Sequence, residues 1–325
     1  MRIKSADDRQ PQINALTALL SRPDVSGGTR QRIEQEVRRI EAGQRGEAQA
    51  AYLIDFHYAR DPNVMTIHDL RINCDGRVAQ IDHLIITRPF EFWVCESKTF
   101  VEGVEINEQG EWSFYNGGRK RGIQSPIEQN KRHIVVLKDI FARRLVTMPT
   151  RLGLTFKATL RSLVLVSDGT QIMRPKGTAS ERVNGLESVI KAEQLKTKID
   201  ESNAERTVPS TPTTLVSAEA IESVARQLAA LHIPANYAWA RRFGLPEQAA
   251  GTQVPSARTP TRRGRIVFPG MSRSGSGRGQ TVPRCESCGN TVSSAVVDYC
   301  RDNEALFEGS ILCVPCQDEF YPDRY

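Results

Sequence analysis

Hydrophobic positions in the first third of the chain follow a helical period. Ile33, Val37 and Ile40 are spaced at i, i+4 and i+7, and an apolar stretch over 13–20 predicts a shorter helix before them. Gly43 is expected to end or kink the longer helix. A further helix is predicted over 46–60, with Glu47 in its first turn, where a carboxylate also suits the helix dipole.

After residue 63 the pattern changes to short apolar runs rich in β-branched and aromatic residues, which favour strands. Arg88-Pro89 separates two of these runs, and Asn73-Cys74-Asp75-Gly76 is a turn sequence. Ser125-Pro126 is a helix start signal. The predicted strands are 64–72, 78–87, 92–95, 101–106, 111–115 and 160–167, and the predicted helices are 127–144, 186–199 and 217–231.

Two of the predicted strands each carry an acid among apolar residues. Asp82 lies between Ile81 and Leu84, and Glu96 directly follows an apolar run. An unpaired buried carboxylate is costly, so such acids normally hold a cation or a metal. Lys98 lies two residues after Glu96 and therefore on the same strand face.

These residues are suited to metal-dependent phosphodiester chemistry. Carboxylates on neighbouring strands offer the hard oxygen ligands that Mg²⁺ or Mn²⁺ prefers, and Glu47 could add a third. Lys98 could orient or deprotonate an attacking water and offset developing charge. The spacing alone equally allows a structural ion pair between Asp82 and Lys98.

Several segments resemble the nuclease-related domain (NERD) family: G-E at 46–47, Q-I-D-H-L-I-I at 80–86, V-C-E-S-K at 94–98, E-G-V-E at 102–105, Trp112, and S-P-I-E-Q-N-K-R-H at 125–133. That family is similar to the PD-(D/E)XK restriction-endonuclease-like superfamily, which implies an α/β fold with an α-β-β-β-α-β core. The resemblance implies Glu47, Asp82, Glu96 and Lys98 as the active-site set, with Gln129 as an accessory polar residue. His83 beside Asp82 favours a structural role, and His133 lies within reach of the site on the Gln129 helix.

Five of the seven cysteines lie in the last 41 residues. Cys285 and Cys288 form one C-x2-C pair and Cys313 and Cys316 another, a grouping typical of a structural zinc site. The module is similar to a zinc ribbon, and Cys300 between the pairs is expected in strand core. The alternative is a set of reduced cysteines in a disordered tail.

Charge divides the C-terminal region in two. Residues 251–284 contain seven arginines and no acid, and fourteen of these 34 residues are Gly, Pro or Ser, which predicts a disordered linker. The linker could hold nucleic acid through phosphates or act only as a solubilising tether. The predicted organisation is a helical segment 1–39, a nuclease-related domain 40–200, a helical extension 201–250, the linker 251–284 and a zinc-ribbon-like module 285–325.

The sequence therefore predicts a Mg²⁺- or Mn²⁺-dependent nuclease acting on nucleic acid, with DNA favoured over RNA, and a structural Zn²⁺ module that engages substrate or a protein partner. The alternative is a non-catalytic nucleic-acid- or protein-binding adaptor, and a third hypothesis is a regulatory protein that binds a partner through the ribbon. No signal-peptide core or membrane-length apolar run occurs, so we expect a soluble, cytoplasmic protein. Oligomeric state, substrate structure and pathway cannot be predicted from the sequence.

Overall fold

The structure, a computed structural model, describes residues 1–206, 216–246, 283–292, 296–297, 300–301, 309–313 and 316. The predicted linker at 207–214 and nearly all of the predicted linker at 251–284 lie outside these residues. The strands are β1 (Arg2–Lys4), β2 (Val64–Cys74), β3 (Arg77–Thr87), β4 (Glu91–Lys98), β5 (Gly103–Ile106), β6 (Trp112–Asn116), β7 (Arg119–Ile123), β8 (Thr150–Arg151), β9 (Leu154–Thr155), β10 (Thr159–Val166), β11 (Gln171–Met173) and β12 (Val189–Lys191). The α-helices are α1 (Gln10–Leu20), α2 (Gly27–Tyr58), α3 (Pro126–Ala142), α4 (Thr178–Arg182), α5 (Leu195–Arg206), α6 (Ala218–Ala230) and α7 (Trp239–Arg242).

A mixed six-stranded sheet in the order β1-β2-β3-β4-β10-β12 organises the fold. β2, β3 and β4 form an antiparallel meander, whereas β10 runs parallel to β4 and returns to it through α3. The elements α2, β2, β3, β4, α3 and β10 therefore follow the predicted α-β-β-β-α-β order. A smaller sheet in the order β11-β5-β6-β7 is inserted between β4 and α3, with β11 added from later in the chain.

Helices cover both faces of the large sheet. On one face α3 and α6 bury Leu137 and Leu228 against the sheet core. On the other face α2 and α5 bury Ile54 and Ile199 against a second cluster that includes Trp93. The strands are consequently apolar on both faces, so an acid on β3 or β4 stands out from its surroundings.

Helix α2 is one continuous helix of 32 residues, so a helix end at Gly43 is wrong. Its N-cap is Ser26, whose hydroxyl accepts a hydrogen bond from the Thr29 N–H. The N-terminal half packs through Ile33 against α1 and α7, and the C-terminal half packs through Ile54 against the sheet. Because both halves are anchored, one glycine does not interrupt the helix, and Glu47 lies in its middle and not in a first turn.

Another predicted element is also wrong. The helix predicted over 186–199 is a short 3₁₀ turn, strand β12, a second 3₁₀ turn and the start of α5, because Val189 and Ile190 extend the sheet by pairing with β10. Strand β7, which pairs with β6, is not among the predicted strands. The helices predicted at 13–20, 127–144 and 217–231 are confirmed, with Ser125 and Ser217 as N-caps for α3 and α6.

Candidate functional site

The predicted active-site residues come from four neighbouring elements. Glu47 lies in the middle of α2, Asp82 on β3, Glu96 and Lys98 at the end of β4, and Gln129 in the first turn of α3. The β3–β4 pairing ends at His83 and Cys95, so Asp82 and Glu96 are the next residues beyond the last pair. The two carboxylates interact, because the charge of Glu96 raises the pKa of Asp82.

The acids at this place repel one another in a poorly solvated environment. Burial raises the pKa of Asp82 well above its ordinary value, and the charges of Glu96 and Glu47 raise it further, against the opposing effect of Lys98. Burial likewise raises the pKa of Glu47, with Arg9 and Lys98 opposing and Asp69 and Glu96 adding. One hydrogen bond favours the charged form of Asp82, since Oδ2 accepts from the Ser97 N–H at 2.8 Å.

Lys98 is the cation inside this group of acids. Its Nζ lies 2.8 Å from Glu96 Oε1, and its side chain is 30% exposed. Burial lowers the pKa of Lys98, but Glu96, Asp82 and Glu47 together outweigh burial and raise it. The direct ion pair of Lys98 is thus with Glu96 on its own strand, and its attraction to Asp82 is an additional, weaker effect.

The donor set fits a divalent cation in chemistry, although it is not a compact ligand cage. Glu96 is 2% exposed, and its Oε2 is buried without a hydrogen-bond partner. An orphaned carboxylate oxygen and mutually repelling acids are both relieved by a bound cation. However, Glu47, Asp82 and Glu96 are not a group whose ligand atoms all lie within 4.8 Å of one another; among the described residues the four cysteines are such a group.

Gln129 and His133 lie on the helix that covers β4. Asn130 fixes this helix by donating hydrogen bonds to the backbone carbonyls of Val94 (3.1 Å) and Leu163 (2.8 Å). Gln129 is half-buried, and its side chain is not hydrogen-bonded to the acids. His133 is buried with its Nδ1 unpartnered, and burial lowers its pKa to about 4, partly opposed by Glu96.

His83 belongs to a chain of buried hydrogen bonds that links β4, β3, β2 and α2 next to the site. Its Nδ1 lies 2.9 Å from His68 Nδ1, and its Nε2 lies 2.8 Å from Ser97 Oγ. His68 Nε2 lies 3.1 Å from Asp55 Oδ1 on α2. Burial, with a smaller effect of His68, lowers the pKa of His83 well below its ordinary value, so this side chain is neutral and has a structural place next to Asp82.

Arg9 and Asp69 join the site without having been predicted. Arg9 Nη2 lies 3.1 Å from Asp69 Oδ1 and 3.6 Å from Glu47 Oε2. Asp69 lies on β2 between the pairs His68–His83 and Leu70–Ile81, where the regular β2–β3 pairing is interrupted. Its φ of 52° is a left-handed conformation that costs on the order of 1–3 kcal/mol at a residue other than glycine. Asp69 has a signal in the sequence, an acid within an apolar strand, whereas Arg9 lies in a polar segment and has none.

Gly46 sets the approach of α2 to the end of β4. A Cβ atom at this position would lie 2.5 Å from Thr99 Oγ1 and 3.3 Å from Thr99 Cβ. The absence of a side chain therefore allows the turn of α2 that carries Glu47 to lie directly beside the residue after Lys98. The glycine before Glu47 has a steric role in building the site.

The four predicted cysteine ligands come together in the C-terminal module. Cys285, Cys288, Cys313 and Cys316 are buried, and their sulfur atoms all lie within 4.8 Å of one another, so this group could hold a zinc ion. Hydrogen bonds from Cys285 and Cys313 lower the pKa of Cys288. Cys300 is buried, as expected, but its backbone is helical, so the predicted strand position is wrong. Cys300 packs in the module's core together with Val296 and Val297.

A family model described as nuclease-related domain (NERD) matches residues 42–165. The match supports the resemblance to this family and contains Glu47, Asp82, Glu96, Lys98 and Gln129, whereas Arg9 and the four cysteines lie outside it. Neither the curated proteins nor the solved structures contain a match to the chain. None of the described helices is both long enough and apolar enough to cross a lipid bilayer.

Proposed function

We propose that the chain is a divalent-metal-dependent nuclease that hydrolyses phosphodiester bonds, with DNA as the favoured substrate. The observation that carries the proposal is the group formed by Asp82, Glu96 and Lys98: two mutually repelling carboxylates, of which Glu96 has a buried oxygen without a hydrogen-bond partner, and a lysine paired with Glu96. A purely structural group of this kind would balance its charges, yet the pKa of Asp82 and that of Glu47 are raised. The match to a nuclease-related domain supports the same reaction class.

Asp82, Glu96 and Glu47 would hold Mg²⁺ or Mn²⁺ in this proposal. Such an ion, when bound, polarises a phosphate and favours ionisation of a coordinated water. Lys98 Nζ, a partly exposed cation, would bind a non-bridging phosphate oxygen or orient the attacking water. The raised pKa of Lys98 favours these two roles over removal of a proton from the water.

A cleavage assay tests the proposal. Supercoiled plasmid, linear duplex, single-stranded DNA and RNA are each incubated with Mg²⁺ or Mn²⁺ and with wild type, Asp82→Asn or Lys98→Met. We expect each variant to lose at least about 100-fold in rate, the scale on which loss of one charge-stabilising group acts. Lys131→Met is the matched control, because Lys131 is an exposed lysine on α3 that pairs with Glu128.

Two outcomes would contradict a nuclease. One is a folded wild-type protein that leaves every substrate intact with both ions. The other is cleavage that persists at the wild-type rate in both Asp82→Asn and Lys98→Met, which would indicate a contaminating enzyme.

A non-catalytic adaptor is the second candidate, and two observations favour it. Arg9 already provides a positive charge to Glu47 and Asp69, and the ligand atoms of Glu47, Asp82 and Glu96 do not form a compact group. Calorimetric titration with Mn²⁺ separates the two candidates: the nuclease binds the ion in a manner that Asp82→Asn removes, whereas the adaptor shows the same heat with and without this substitution.

We further propose that the four cysteines hold a structural Zn²⁺ and that this ribbon-like module engages the substrate or a protein partner. The arginine-rich sequence over 251–284 would add salt-sensitive contacts to nucleic-acid phosphates. Binding of a labelled duplex at increasing NaCl, with and without residues 251–325, measures this contribution. A slope of affinity against salt that is unchanged by the truncation would exclude it.

A further inference from the structure

Arg71 on β2 is a buried cation with an unusual set of partners. Its residue is 3% exposed, and within the described part of the chain no carboxylate forms an ion pair with it. Taking an unpaired cation out of water costs several kcal/mol, so a negative charge is expected nearby. The guanidinium is directed instead at the cysteine module, where Nη2 donates to Cys288 Sγ at 3.5 Å.

A second residue of the module also faces the guanidinium. With its amide oriented so that both groups are satisfied, Asn290 accepts hydrogen bonds from Arg71 Nη1 (3.0 Å) and Nη2 (2.6 Å). Cys288 and Asn290 thus both accept hydrogen bonds from the planar end of the Arg71 side chain. Arginine is suited to this place because its fork of N–H donors can serve a sulfur and an amide oxygen together.

The backbone around Arg71 is held by the segment that follows α6. The Arg71 N–H donates to His232 Nδ1 (3.1 Å), and the Arg71 carbonyl accepts from the Ile233 N–H (2.8 Å). A few residues further on, the Ala238 N–H donates to the Ser287 carbonyl of the module (2.8 Å). The sheet, the segment after α6 and the first cysteine pair therefore meet at one place.

The contact between Arg71 and the cysteine module depends on the charge of the module. Four thiolates around one divalent ion carry a net charge of about −2, whereas four thiols without an ion carry none. The metal-bound state therefore places the larger negative charge beside the buried guanidinium.

We propose that Arg71 is the counter-ion of a metal–tetrathiolate group, so that metal binding fixes residues 285–290 against β2 and makes an intramolecular interface between the cysteine module and the nuclease-related domain. The inference rests on the proposed metal in the four cysteines and is independent of nuclease activity. The interface also reaches toward the active site, because His232 Nε2 lies 2.8 Å from Asp7 Oδ2 and the Asp7 N–H donates to Asp69 Oδ2 (3.2 Å).

The test uses the full chain and two readouts that do not involve cleavage. Replacement of the metal by Co²⁺ gives an absorption spectrum that reports tetrathiolate binding and its affinity. Hydrogen–deuterium exchange, with and without metal, reports protection of the backbone at 70–72 and 237–239. In wild type we expect removal of the metal to increase exchange in both stretches.

The decisive variant is Arg71→Met, with Arg77→Met as the control because Arg77 lies at the start of β3 and pairs with Asp139. We expect Arg71→Met to bind Co²⁺ about 10–100-fold more weakly, the usual effect of losing a partner of a metal ligand. At saturating metal its two stretches should exchange as in the metal-free protein. The control should match wild type in both readouts.

Asn290→Ala repeats the test from the module side and leaves β2 unchanged if Arg71→Met fails to fold. It should retain the Co²⁺ spectrum and lose part of the protection at 70–72. Protection that does not depend on metal in wild type, or wild-type affinity and protection in both variants, would overturn the proposal. A chain that gives no Co²⁺ tetrathiolate spectrum at all would overturn the metal site itself, an outcome distinct from loss of the interface alone.

Discussion

The carboxylate group and the cysteine group are two candidate metal sites that differ in how close together their ligand atoms lie. The four cysteines already have their ligand atoms within 4.8 Å of one another, whereas Glu47, Asp82 and Glu96 interact electrostatically without forming such a group. The cysteine module includes the sulfur atoms in its own small core, so its ligands must be together for it to fold. Asp82 and Glu96 lie on a sheet with an apolar core on each face, and Glu47 lies on α2, so packing of the fold does not require the acids to come together.

The comparison teaches that closeness of ligands indicates a structural role more than a catalytic one. A site that exchanges ions, water and substrate benefits from oxygens that are held near one another but not saturated. The orphaned oxygen of Glu96 and the partly exposed amine of Lys98 are consistent with such a site. The following predictions test each side of this difference.

Removal of a cysteine ligand should have the largest effect. Cys288→Ser or Cys313→Ser should reduce the bound zinc from about one ion per chain to nearly none, because metal binding of about 10–16 kcal/mol is what stabilises such small modules. Metal analysis after dialysis measures this. Cys300→Ser is the matched control: Cys300 is equally buried but lies outside the ligand group, so zinc lost to the same extent there would refute the assignment.

The second prediction concerns the pH dependence of stability that arises from His133, near the carboxylate group. His133 has a pKa of about 4 in the folded protein, below the ordinary 6.5 of an unfolded chain. Both states are neutral above pH 6.5, but as the pH falls toward 4 the unfolded chain takes up a proton that the folded protein does not. The free energy of unfolding should therefore decrease, by about 3 kcal/mol at pH 4 from this residue alone.

Urea unfolding at several pH values measures this slope in wild type and in His133→Gln. The variant should show a shallower loss of stability between pH 6.5 and 4. Circular dichroism at pH 7.5 checks that it is folded. Equal slopes in the two proteins would mean that His133 takes up its proton as readily in the folded state as in the unfolded one.

The third prediction is that the metal-free protein becomes more stable when Asp82 loses its charge. Burial and the nearby Glu96 and Glu47 disfavour ionised Asp82, so Asp82→Asn should raise the Tm by about 2–4 °C, the shift produced by roughly 1 kcal/mol in a domain of this size. The same substitution should remove the rise in Tm that Mn²⁺ gives to wild type. A lower Tm for metal-free Asp82→Asn would show that the carboxylate stabilises the fold and would favour the adaptor hypothesis.

The fourth prediction compares two glycines of α2 that differ in their surroundings. Gly46→Ala places a Cβ against Thr99 and should destabilise the protein by about 1–3 kcal/mol and slow cleavage by displacing Glu47. Gly43→Ala meets only Glu47 Oε1 at 3.9 Å and should stabilise the helix by about 0.5–1 kcal/mol. Thermal unfolding compares them, and two changes of the same sign would contradict a specific close approach at Gly46.

Much of the candidate site could be predicted from the sequence, because a charged residue is conspicuous within an apolar strand. Asp82 and Glu96 were conspicuous among apolar neighbours, and Lys98 followed from the two-residue period of a strand. Asp69 could have been found by the same rule. The cysteine ligands were found by spacing, which needs no knowledge of the fold.

Long-range contacts account for what was missed. Arg9 reaches the acids, and Arg71 reaches the cysteine module, only through the folding of distant segments, and arginines in such positions have no distinctive local pattern. Gly43 was taken as a helix end because its intrinsic propensity is poor, but anchoring on both sides outweighs that propensity. Residues 189–191 form a strand because β10 offers them an edge, which the local sequence does not reveal.

The continuity of α2 makes it a spacer of fixed length and fixed phase between two hydrophobic clusters. The whole helix is about 48 Å long. Ile33 packs in one cluster, Ile54 packs in the other, and Glu47 lies between these two residues. One inserted residue between 38 and 45 would turn one anchor by about 100° relative to the other. An insertion of seven or eleven residues would nearly restore the phase but would lengthen the helix by about 10 or 16 Å. We therefore expect any length change here to cost the packing of one cluster or the position of Glu47.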